Sequence, residues 1–252
     1  MPPRTVIKAA VAALTGAVAV SALAACSVDV GALQHRTSSY SVSARLQTLV
    51  VTAHVGNVQV TGGTSGTVSV TEHITFRHTA PVTTHRTAAG ALTLDSHCPA
   101  LETCSVGYDI TVPRTMTVRV SDNAGVIGFQ SLAGPVTAHT NAGNINLGSL
   151  SGPIEITGHA GSILGRDVSS ARATLRSSAG GIDVTFSAAP AAISATTDVG
   201  TVRLRVPGSV SYDVHTSVRI GSAQTAVTLS PASPHAITAR TVTGSITIEP
   251  AS

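Results

Sequence analysis

The reading of the fold turns on residues 141–163, "NAGNINLGSLSGPIEITGHAGSI", in which Ala-Gly, a spacer and an isoleucine return after eighteen positions. Aligned on the glycines, Ala124-Gly125, Ala142-Gly143, Ala160-Gly161, Ala179-Gly180 and Val199-Gly200 are spaced by 18, 18, 19 and 20 residues. An aliphatic stands two positions beyond each glycine: Ile127, Ile145, Ile163, Ile182 and Val202. The phrase recurs at Gly56 with Val58 and at Gly244 with Ile246, so it reaches both ends of the body. Half a period away lies a second phrase, the Gly-Pro of "GPVTAHT" at 134 and "GPIEITG" at 152, with looser versions at Pro190 and Pro207.

Two strands of about five residues and two turns of about four fill such a period. The rest of the body has the same character. In "TVSVTEHITF", Val68, Val70, Ile74 and Phe76 share one parity and Ser69, Thr71, His73 and Thr75 the other, which is the period of a half-buried strand. No window carries a helical stripe, and Gly or Pro interrupts too often for helices of ordinary length. The expectation is an all-β solenoid of 18- to 20-residue coils with two short strands each; a β-sandwich is the alternative. A coil cannot bury its inward side chains alone, so coils stack and Ile145, Ile163 and Ile182 form one inward ladder. The core is thin, which suits a chain with three Phe, three Tyr and no Trp. The repeating glycine supplies either a positive φ or room for the next coil's backbone. Gly221 in "VRIGS" is out of phase, so the last coils are expected to be irregular. Glu72 falls on the apolar parity of its strand; a bulge turning it outward is expected, with an arginine partner as the alternative.

The N-terminus is built differently. Arg4 and Lys8 precede an uncharged apolar run, Ala9 to Ala25, the layout of a secretory signal. It ends in Leu23, Ala24, Ala25 and Cys26, which resembles the lipobox of bacterial lipoproteins, and that resemblance implies cleavage before Cys26 and acylation of its thiol. The expected organisation is a signal peptide over 1–25, a lipidated Cys26 with a polar, flexible tether over 26–43, and the solenoid over 44–252. The expected location is the outer face of the cell membrane, with membrane lipid as a partner through Cys26. Loss of residues 1–25 leaves thirteen arginines against twelve carboxylates. So balanced a surface, poor in aromatics to stack bases, excludes nucleic acid as an expected partner.

With Cys26 committed to lipid, Cys98 and Cys104 remain in "HCPALETC", and an exported chain meets an oxidising compartment. A disulfide is expected there; a metal site with His97 is the rival. His73, His78 and His85 lie near one another but lack a metal-ligand spacing, and no metal or cofactor is expected.

The segment "YDITVPRTMTVRVSDNAGVIGFQSLAGPVTAHTNAGNINLGSLSGPIEITGHAGSI" resembles the repeat domain of exported bacterial proteins grouped as adhesin-like and of unknown function. It shares a strand ending in Val-Pro, then repeated "G-x-I" and "L-x-G-x-V" steps, over roughly residues 45 to 250 and most clearly 107 to 206. The resemblance implies a head-to-tail β-stack and an envelope location, and it supplies no catalytic residues.

Function is read from what remains. The polar column before the turns, Asn123, Asn141, His159, Ser178, Asp198 and Ser217, is expected along one edge of the stack, either as turn scaffolding or as a binding edge for glycan or a cation. A single carboxylate in that column, Asp198, makes calcium a poor fit. The sequence contains no GxSxG, HExxH or GxxxxGK. The expected function is adhesion, binding or envelope structure without catalysis, with cell-wall glycan or an envelope protein as partner. An accessory of envelope-stress signalling and a carbohydrate-active enzyme stand as alternatives.

Overall fold

Every repeat of the sequence becomes one coil, and each coil contributes one strand to each of two faces. The computed structural model describes residues 31–43, 45–100 and 102–251, so the apolar run and Cys26 lie outside the described residues. The chain begins with β1 (Gln34–Val42), β2 (Thr48–Val55), β3 (Val58–Gly63), β4 (Val68–Phe76), β5 (Val82–Ala88), β6 (Ala91–His97) and β7 (Cys104–Pro113). Five regular coils follow: β8 (Thr117–Ala124) with β9 (Ile127–Gln130), β10 (Val136–Ala142) with β11 (Ile145–Gly148), β12 (Ile154–Ala160) with β13 (Ile163–Val168), β14 (Arg172–Ala179) with β15 (Ile182–Phe186), and β16 (Ala192–Val199) with β17 (Val202–Val206). Two long strands, β18 (Asp213–Thr225) and β19 (Ala236–Pro250), complete it.

All the described strands join one 19-stranded, mostly parallel sheet that folds back on itself at each coil's corner, and no helix occurs among the described residues. The solenoid expectation holds and the sandwich alternative falls. Successive coils pair in register one repeat apart, as in Val136↔Ile154 and Ile145↔Ile163, which places them about 4.8 Å apart. The inward ladder runs Val58, Ile127, Ile145, Ile163, Ile182, Val202, Ile246, each paired with the next. All seven are at most 1% exposed.

The corner glycines serve both purposes expected of them. Gly143 has φ 138° and Gly161 φ 129°, and a Cβ added to either would stand 1.7 or 2.0 Å from the carbonyl oxygen of the corner glycine one coil earlier. Only a backbone without a side chain lets neighbouring coils approach this closely.

At both ends the order in space departs from the order in the chain. The coil formed by β6 and β7 stacks outside β2 and β3, although it follows them in sequence. At the other end β19 bends at Gly244 and pairs with β16 by its first half and β17 by its second, while β18 lies outside it. Gly221 is out of phase because its strand skips a layer: its Cβ would meet the carbonyl of Gly244, which in turn sits on Gly200. Antiparallel strands β4, β5 and β1 cover the outer edge of the β6–β7 coil.

Two expectations need correction. Residues Gln34–Val42, assigned to the tether, form β1, which pairs antiparallel with β4. Its register is held by the backbone and by cross-strand pairs such as Ser39 with Thr71 at 3.0 Å. An edge strand wet on most of its surface needs no apolar alternation, which is why its sequence looked unstructured. Glu72 is not turned outward: its strand pairs without a bulge, and its carboxylate is 5% exposed. Its partner is the Tyr40 hydroxyl, donated across 2.9 Å from β1, not an arginine. That shared burial raises the Tyr40 hydroxyl above its ordinary pKa.

Candidate functional site

The turn-edge column assembles as one edge and bonds to itself. Asn141 donates its amide to Asn123 Oδ1 at 2.6 Å, and Asn141 Oδ1 lies 2.9 Å from His159 Nδ1 and 3.2 Å from His139 Nε2. The rings of His139 and His159 meet edge to face, centroids 5.1 Å apart. Asp198 stands exposed at the column's far end and outside this network. An edge whose polar groups are spent on one another is well suited to holding coils in register.

Just inside the same corner runs a second polar column, hidden from sequence reading by its burial. Ser177, Thr197 and Thr241 donate their hydroxyls to the carbonyls of Gly161, Gly180 and Gly200, the corner glycines one coil earlier. Thr140 and Asp122 hold the equivalent places, but the Thr140 hydroxyl has no partner. The Asp122 carboxyl is 1% exposed, and neither oxygen has a partner of hydrogen-bond geometry. Burial pushes it up to about 6, against the opposing pull of the Ala124 and Asn123 amides and of His54. The carbonyl that its column neighbours would donate to is that of Gly56: a Cβ on Gly125 would lie 1.8 Å from Gly56 O and 2.7 Å from Asp122 Oδ2.

The outer surface of β9, β11, β13, β15 and β17 carries an open trough of about 550 Å³. Its floor lies over Gly128 and Gly148, outward positions with no side chain to fill them, and Gln59 and Gln130 lie across these glycines from the preceding coils. Asn146 and Leu164 follow on one row, with Leu164 43% exposed, and Arg166 on the next. Arg205 closes the trough, its guanidinium held 2.8 Å from Asp183 and 3.0 Å from Glu249. At the strand ends Ser131, Ser149 and Asp167 adopt φ of 58°, 51° and 54°, one per coil. A left-handed serine costs of order 1–3 kcal/mol and persists where the surroundings dictate it. None of these residues was singled out from the sequence. The legible signal was a glycine on the polar parity of β9 and of β11, where strands normally carry a side chain.

Cys98 and Cys104 form a disulfide with Cα atoms 5.7 Å apart, closing the loop between β6 and β7. The His97 ring meets His54 edge to face, centroids 5.1 Å apart, and the two cysteines beside it are bonded to each other. The three histidines of the second strand region separate: His73 bonds Asp109 at 2.9 Å, His78 faces Glu102 at 3.5 Å, and His85 stacks on Tyr40. No cluster of three potential metal ligands exists among the described residues. The His73–Asp109 pair lines a second depression with Ser105 and Thr75, yet neither hydroxyl bonds the imidazole.

No protein-family model matches the chain, and no curated protein matches it in sequence. Solved structures do resemble it. A "putative adhesin" from Bacteroides fragilis aligns over 86% of this chain and 97% of its own with 16% identity and a TM-score of 0.50. A "putative cell adhesion protein" from Clostridium sporogenes aligns over 86% of this chain and 100% of its own with 10% identity and a TM-score of 0.41. At such identities the first likeness is one of fold.

Proposed function

We propose that the protein is a lipid-anchored, non-catalytic binding protein of the bacterial cell envelope, its β-stack serving adhesion or attachment. The observation that carries this is the open trough: polar side chains from successive coils, fixed by backbone pairing, line it over two outward glycines across which Gln59 and Gln130 lie. Sites on paired strands are held more precisely than sites on loops. Support comes from the apolar run ending in Leu23-Ala24-Ala25-Cys26, the arrangement that would leave the body tethered by lipid outside the cytoplasm. The adhesin-like resemblance of the sequence and the name given to the Bacteroides fragilis structure point the same way.

The non-catalytic part of the reading rests on placement. Asp183 and Glu249 are both tied up by Arg205, and His73 with Asp109 faces no activated hydroxyl. A nucleophile needs its base within hydrogen-bond reach. The test is expression of wild type and Cys26→Ser, followed by fractionation and an attachment assay on isolated envelopes. Wild type should stay with membranes and bind envelope material, and Cys26→Ser should leave the membrane fraction. An unmodified N-terminus on membrane-bound wild type, or no attachment by the intact chain, would overturn the proposal.

A further inference from the structure

We propose that the trough over Gly128 and Gly148 is a binding site for a neutral, unbranched hexose chain; this rests on the binding role proposed above and names its ligand class. The first reason is shape. Two outward strand positions without side chains leave only the glutamine side chains of the preceding coils over the floor of a channel of about 550 Å³, a size ordinary for ligand sites. Gln59 Oε1 and Gln130 Oε1 lie 1.9 Å from where a Cβ on Gly128 and on Gly148 would stand. Both glutamines are exposed, and Gln130 is held only by long contacts of 3.5 Å from its Nε2 to the Ser131 and Ser149 hydroxyls, so both can lift from the floor and offer an amide to a ligand.

The second reason is chemistry. Gln59, Gln130 and Asn146 each present a donor and an acceptor, the pairing that vicinal hydroxyls require. Asn146, Arg166 and Asp167 line the trough exposed and engage no other side chain, so their hydrogen-bonding capacity is available. There is no excess of positive charge: Arg166 and Arg205 stand against Asp167, Asp183 and the Glu249 that Arg205 also holds, which gives a polyanion nothing to gain. Leu164, 43% exposed between them, offers an apolar contact for the C–H face of a sugar ring.

The third reason is period. Equivalent positions recur at each coil, about 4.8 Å apart across the strands, close to the length of one pyranose unit in an extended chain. A ligand that repeats on that scale meets one polar row per sugar. With no aromatic platform in the trough, each site binds weakly, and attachment gains strength from many anchored copies.

The experiment uses the full chain in detergent and isothermal titration with cellotetraose, mannotetraose and galactotetraose, with polygalacturonate as an anionic comparison. At least one tetrasaccharide should bind more tightly than polygalacturonate. Asn146→Ala should weaken it at least tenfold, and Gly148→Leu, which fills the floor while displacing only the end of Gln130, should abolish it. Asn141→Ala on the turn edge should change it less than twofold. Competition by glycan extracted from the producing cell's own wall, set against glycan from a foreign surface, identifies the natural source. If Gly148→Leu does not fold, Asn146→Ala decides alone. Attachment to envelopes without tetrasaccharide binding, or tetrasaccharide binding unchanged in Asn146→Ala, overturns the trough proposal while the binding role stands. Loss of both attachment and sugar binding overturns the binding role itself.

Discussion

Replacing Asp122 with threonine should make the protein more stable at pH 8. In the buried corner column, Thr197 and Thr241 donate to the preceding coil's glycine carbonyl and the Thr140 hydroxyl has no partner, while Asp122 is the member that carries a charge when ionised. Its pKa rises from 3.8 to about 6 because burial opposes the charge. A carboxyl whose folded pKa lies above its unfolded value binds more protons when folded. The stabilisation from that proton is complete below about pH 4, the unfolded value, and is lost as pH climbs through about 6. The difference corresponds to about 3 kcal/mol, at about 1.4 kcal/mol per pKa unit. At 1% exposure there is little solvent to screen it. Threonine removes that cost without a counted hydrogen bond, since the hydroxyl of Thr140, in the equivalent place one coil on, has no partner. For a body of this size that is a gain of roughly 6 to 12 °C in Tm at pH 8, shrinking to a few degrees or less at pH 4. Thermal melts followed by circular dichroism at pH 4, 6 and 8 measure it, and the difference between variant and wild type cancels the other titrating groups. A variant no more stable than wild type at pH 8, or a difference independent of pH, would refute the argument. Asp122→Asn, neutral at every pH, separates the removal of charge from the addition of the hydroxyl.

Ile163→Asp should unfold the protein, since it places a charge between Ile145 and Ile182 in the dry ladder at a cost above several kcal/mol; a cooperative melt at the wild-type Tm would refute the register. Asn141→Ala and His159→Ala should each cost about 1 kcal/mol or less, because water replaces much of what an exposed ladder loses, and denaturant titration reads the difference. Non-reducing peptide mapping should recover Cys98 linked to Cys104, and opening that small loop should cost roughly 2 kcal/mol; two freely alkylated thiols in protein isolated without reductant would contradict the bridge.

The stack was legible because its rule is local and repeated: a corner glycine, one spacer, one inward aliphatic, at a constant interval. Pairing one coil ahead then follows from the need to bury Ile145 and its equivalents. The ends were not legible, because nothing local distinguishes a coil that stacks on its chain neighbour from one that skips a layer, as β6–β7 and β19 do. Strand β1 escaped because edge pairing uses the backbone and leaves no apolar period in "QHRTSSYSV". The inward position of Glu72 depended on Tyr40, thirty-two residues away, which sequence spacing cannot connect. On the turn edge Asn123, Asn141 and His159 do form a column and bond one another, whereas Ser217 falls level with Arg240 and Thr196, two residues short of the edge, because its strand is out of phase. The trough arises where glycines from β9 and β11 fall on outward rows beside Asn146 and Arg166, a juxtaposition that appears only once the coils are in register.

The insertion of β19 between β17 and β18 fixes the sequence of events by which the protein can be completed. An ordinary solenoid can grow coil upon coil as the chain emerges, each new layer finding its template already laid down. Here β18 emerges before the layer it pairs with exists; its in-register partner is β19, and β17 pairs with β19. The last fifteen-residue strand is therefore a keystone that joins two otherwise separate pieces. A chain cut short before Ala236 would lose an interior course, leaving β17 bare and β18 stranded. Because β19 follows β18 along the chain, the layer between β17 and β18 is laid down after both of its neighbours have been made.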